Sequence, residues 1–82
     1  AQNYPNPFNP STAIEYGLPV ASDVRLAVFN TLGQRVASLV NERQEAGFHT
    51  AVFGNQSLSS GVYYYTIEAN QFRASKKLLL LR

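Results

Sequence analysis

The chain has 82 residues, 45% hydrophobic and 12% aromatic, with no cysteine and a formal net charge of +2 from seven basic and five acidic side chains. A chain of this length folds as one domain that buries only about 60 to 65% of its unfolded surface. With no thiol, neither a disulfide framework nor a thiolate zinc site can reinforce so thin a core. The mild charge, with Arg25, Arg35, Arg43 and Arg73 scattered along the chain, does not point to nucleic acid. Its longest aliphatic run, Leu78 to Leu81, is far below the roughly 20 residues of a membrane-crossing helix.

Residues 1–11 hold Pro5, Pro7 and Pro10, each fixing φ and pushing its predecessor toward extended geometry. The pattern predicts a stiff, non-helical N-terminal arm. Tyr4 and Phe8 are bulkier than a plain linker needs, so the arm is expected to pack against the body that follows, residues 12–82.

Thr12 to Leu18 alternates Ile14, Tyr16 and Leu18 against Ala13, Glu15 and Gly17, a half-buried strand ended by Pro19. Asp23 to Asn30 repeats the pattern through Val24, Leu26 and Val28, and Asn30-Thr31-Leu32-Gly33-Gln34 supplies a hairpin into a third strand, Arg35 to Val40. Asn41 to Gly47 is polar and closes on glycine, which reads as a surface loop with room for one helical turn. Phe48 to Phe53 sets His49, Ala51 and Phe53 against Phe48, Thr50 and Val52, and Gly54-Asn55-Gln56-Ser57 forms a turn.

The strongest strand signal is Val62 to Ile67, entered through Ser59-Ser60-Gly61 and carrying Tyr63, Tyr64 and Tyr65. Bulk on both of its faces predicts a central strand. A Leu, a turn Gly and then a Tyr also match the tyrosine corner of β-sandwiches, with Tyr63 or Tyr64 bonding back to the turn. Asn70-Gln71 makes a tight turn, and Phe72 to Leu81 alternates through Arg73, Ser75 and Lys77 before ending in Leu78-Leu79-Leu80-Leu81-Arg82. Six or seven short strands, turn signals about every 8 to 12 residues and no helical period define an all-β antiparallel sandwich.

Chemistry is sparse. Glu15, Asp23, Glu42, Glu45 and Glu68 share no acid/base spacing, and His49 alone cannot seed a metal site. Ser59-Ser60-Gly61 is explained by turn geometry, the glycines fall at strand boundaries and not in a phosphate cradle, and Asn55-Gln56-Ser57, although a glycosylation sequon, reads as a surface turn. No catalytic residue, cofactor or metal is expected.

Taken together and in order, Asn3-Tyr4-Pro5-Asn6-Pro7-Phe8-Asn9-Pro10-Ser11-Thr12, Tyr16-Gly17-Leu18-Pro19, Val28-Phe29-Asn30-Thr31-Leu32-Gly33-Gln34, Gly47-Phe48-His49, Leu58 to Tyr65 and Lys76 to Arg82 closely resemble the type A C-terminal sorting domain of the type IX (Por) secretion system. The resemblance implies an immunoglobulin-like fold and a non-catalytic export address. Its partners would be a cargo domain N-terminal in the same chain, a translocon and a sortase-like peptidase, with passage through the periplasm to the outer-membrane surface or the medium. The recurring family signals, a glycine-plus-aromatic strand and a basic-then-apolar tail, fall here on Gly61, Tyr63, Lys77, Leu78, Leu79, Leu80, Leu81 and Arg82. Where relatives usually carry Trp after the Gly47 strand, this chain has Phe53. The immunoglobulin-like domain of the flagellar hook-capping protein is similar in the hairpin and the Gly-Val-Tyr strand, and leaves a structural or assembly module as the alternative. A carbohydrate-binding module presenting the tyrosines is a further one.

Physically, residues 78–82 are expected to offer an apolar row beside an open backbone edge, onto which a receptor adds a strand. Such an edge also invites homodimerisation, against which Arg73, Lys76 and Lys77 stand as charge guards.

Overall fold

A computed structural model describes residues 11–54 and 58–80. The Pro-rich arm up to residue 10, the Asn55-Gln56-Ser57 sequon, Leu81 and Arg82 lie outside the described residues. Six strands follow one another: β1 (Thr12–Leu18), β2 (Ser22–Phe29), β3 (Arg35–Gln44), β4 (Gly47–Phe53), β5 (Gly61–Ala69) and β6 (Phe72–Leu80). All pair antiparallel, β1 with β4 in one sheet and β3-β2-β5-β6 in the other, as an immunoglobulin-like β-sandwich.

The period-2 patterns dictate which side chains fill the space between the sheets. Ile14, Leu18, Ala51 and Phe53 come from the two-stranded sheet, and Val24, Leu26, Val28, Tyr63, Ile67, Ala69 and Leu80 from the four-stranded one. Two-residue and three-residue links, Glu45-Ala46 and Pro19 to Ala21, carry the chain from one sheet to the other. The second link is tied down by Ser22, whose buried hydroxyl donates to the Val20 carbonyl (2.9 Å) and accepts from Asn70 Nδ2 (3.2 Å).

Both hairpins fall where turn chemistry places them. Asn30 Oδ1 accepts from the Leu32 and Gln34 amides (2.9 and 3.0 Å), and Gly33 takes φ 83°, a conformation costly for any residue with a Cβ. Asn70 supplies the left-handed position (φ 56°) of the β5–β6 turn.

Two expectations need correction. Asn41 to Gln44 is no loop: the segment continues β3, paired with Arg25 back to Ser22. Its side chains are polar because it is an outer strand with little above it, while the β2 backbone still demands hydrogen-bond partners there. The bulk on both faces of β5 does not mean burial on both. Topology makes β5 central, between β2 and β6, yet only Tyr63, Ile67 and Ala69 are fully inside, and Tyr64 on the outer face is 42% exposed.

Candidate recognition site

Antiparallel pairing of β5 with β6 gathers the residues singled out around Gly61 and in the C-terminal tail into one patch. Gly61 lies opposite Leu80, Val62 opposite Leu79, Tyr63 opposite Leu78 and Tyr64 opposite Lys77. Of the eight candidate residues, Gly61, Tyr63, Lys77, Leu78, Leu79 and Leu80 are thus neighbours, while Leu81 and Arg82 are not described.

Within the patch the roles divide by face. Tyr63 is the corner tyrosine: its hydroxyl donates to the Ser59 carbonyl (2.8 Å), and its ring meets the buried Phe53 ring edge-on, centroids 5.3 Å apart. Phe53 thus sets an aromatic ring against the corner. Leu80 is 0% exposed and belongs to the core, and Leu78 packs against that core from the rim. The apolar row expected across residues 78–82 is accordingly split. Leu79, 56% exposed, is the leucine a partner can reach without opening the fold, with Lys77 beside it on the outer face. Sequence reasoning passed over Val62 and Tyr64, which complete this outer surface. The alternation of β5 alone would have placed them there.

β6 is bonded to β5 and has no strand on its other side among the described residues. Its backbone thus presents an open edge along Phe72–Leu80, with Arg73, Lys76 and Lys77 all exposed on it.

Elsewhere the polar groups hold structure. His49 stacks on Tyr16, centroids 5.5 Å apart, and its Nε2 donates to the Glu45 carbonyl (2.8 Å). The Tyr16 hydroxyl donates to Gln44 Oε1, joining β1 to β3 across the two sheets. Burial pushes the Tyr16 phenol above its ordinary pKa, with nearby Glu42 acting in the same direction. Among the described residues no cluster of His, Asp and Glu could hold a metal ion.

Comparison with known proteins gives one match that spans nearly the whole chain: the family model described as the secretion system C-terminal sorting domain covers residues 2–81. No curated protein and no solved structure matches significantly.

Proposed function

Because the chain belongs to the type IX secretion system C-terminal sorting domain family, we propose that it is a non-catalytic address carrying an N-terminally fused cargo across the outer membrane to the cell surface or the medium. The type IX translocon reads it on the periplasmic side, and a sortase-like peptidase acts on it at the far side.

The observation that carries the reading is the β6 edge with its division of labour. Gly61, Tyr63, Leu78 and Leu80 build and brace the end of the β5–β6 hairpin, while Leu79, Lys77 and the outer backbone edge of β6, which has no strand beside it among the described residues, face a receptor strand. Backbone hydrogen bonds to an added strand are indifferent to sequence and supply affinity. The alternating Lys77 and Leu79 side chains supply selectivity.

Deleting residues 78–82 would test this poorly, since it removes core Leu80 together with the edge. Surface variants separate the two. A reporter cargo fused to this chain should lose surface delivery with Leu79→Asp or Lys77→Glu while the purified chain keeps its thermal midpoint within about 3 °C, the range of a surface substitution. Unchanged delivery by both variants would refute the edge as the handle.

A further inference from the structure

The arginines that are scattered in sequence converge in space. On the outer face of the four-stranded sheet, successive cross-strand rows read Asn41-Arg25-Glu68-Arg73, Ser38-Ala27-Thr66-Ser75 and Arg35-Phe29-Tyr64-Lys77, with Arg43 and Asp23 at the corner. Five of the seven basic residues of the chain therefore share one face with only two carboxylates. Those carboxylates are taken: Asp23 by Arg43 at 3.4 Å and Glu68 by Arg73 at 3.6 Å. Arg25, Arg35 and Lys77 have no carboxylate within ion-pair reach among the described residues.

The face is also hollowed. The register shifts of β3 against Leu26/Ala27 and Val28/Phe29 interrupt the ladder there, and a depression of about 280 Å³ is lined by Arg25, Arg35 and the ion-paired Arg73 and Glu68, together with Ala27, Ser38 and Thr66.

We propose that this basic hollow, centred on Arg25 of β2 and Arg35 of β3, is a docking surface for an extended acidic segment of a partner polypeptide, separate from the Lys77 and Leu79 handle and independent of the export reading. Guanidinium forks pair with planar carboxylates through two parallel hydrogen bonds, so the two unpaired ones at the hollow, Arg25 and Arg35, favour carboxylate side chains. Arg35 lies on β3 opposite Phe29, four residues along and one strand across from Arg25, roughly 14 Å. In an extended peptide, carboxylates four positions apart are separated by about 13 to 14 Å. A saccharide would want an exposed aromatic platform, but Phe29, the ring lining the hollow, is only half-exposed and Tyr64 lies outside it.

The test is fluorescence anisotropy of the full 82-residue chain with a labelled peptide of alternating Glu and Thr, about a dozen residues long, at low salt. Saturable binding is expected, weakened at least about tenfold both by raising salt to roughly 0.3 M and by the double change Arg25→Gln with Arg35→Gln. Arg43→Gln, at the corner and engaged by Asp23, should stay within about twofold. Circular dichroism of each variant checks that the sheet is intact, as these exposed positions allow. Absence of saturable binding, equal loss in Arg43→Gln, or tighter Arg25-dependent binding of polygalacturonate or of phosphatidylglycerol vesicles would overturn the proposal.

Discussion

Replacing Leu80 by alanine asks whether the apolar tail is structure or signal. Leu80 is fully buried, and the residue opposite it on β5 is Gly61, which has no side chain to swing into a vacancy. Truncation removes three buried carbons, about 2 to 2.5 kcal/mol of transfer free energy at roughly 0.8 per methylene, and leaves a cavity that adds more. Among the described residues β6 is bonded on one side only and can move inward to close part of it, which places the total near 3 kcal/mol, low in the usual range of about 2 to 5 for such a change. A domain of this size has about 4 to 12 kcal/mol in all, so the loss is a large fraction of it. The chain has no tryptophan, so urea unfolding is followed by tyrosine fluorescence or circular dichroism. With a slope of about 1 kcal/mol per molar, the midpoint should fall by roughly 3 M, whereas Leu79→Ala, at a half-exposed position, should shift it by less than about 0.5 M. Equal effects at the two positions, or a Leu80→Ala cost under about 1 kcal/mol, would refute the two-faced reading of the tail.

Tyr63→Phe keeps the ring contact with Phe53 but removes the bond to the Ser59 carbonyl, and should cost about 0.5 to 1.5 kcal/mol in the same unfolding measurement; no loss would mean the corner bond is idle. The Tyr16 phenol is raised above its ordinary value of 10.0, so its contribution to stability is intact below pH 10 and is lost as pH rises from there through the folded-state value. Urea midpoints at pH 9 and 11 should therefore fall further in the unmodified chain than in Tyr16→Phe, and identical falls would contradict the burial of that hydroxyl. The open β6 edge should also let the isolated chain pair with itself, weakened as it is by Arg73, Lys76 and Lys77. Equilibrium sedimentation that detects only monomer from about 1 µM to 1 mM, the range of weak encounter complexes, would count against it.

Much of the fold could be read from side-chain alternation because each strand buries one face only. Thr12–Leu18 has the bounds that its pattern and Pro19 dictate, and the sequence narrows the corner tyrosine to Tyr63 or Tyr64, between which the bond to the Ser59 carbonyl selects Tyr63. Asn41 to Gln44 escaped that reading because nothing apolar marks a strand whose value lies in its backbone partners. The split of the terminal leucines was readable in principle, since neighbours in a strand must point to opposite faces, but a run of four hides the period. The gathering of Arg25, Arg35 and Arg73 was not readable in this way. It depends on β2 pairing with both β3 and β5, and on β5 pairing with β6, contacts between strands far apart in the chain.

β1 and β6, the first and last strands, belong to different sheets and share no hydrogen-bond ladder. Apart from the short covalent links between the sheets, tension applied between them is carried by side-chain contacts across the sandwich, and a force-clamp pull on those two strands should loosen that packing before the β5–β6 ladder shears. A body held in that direction mainly by side-chain packing would be mechanically soft, a property in keeping with the export proposed above.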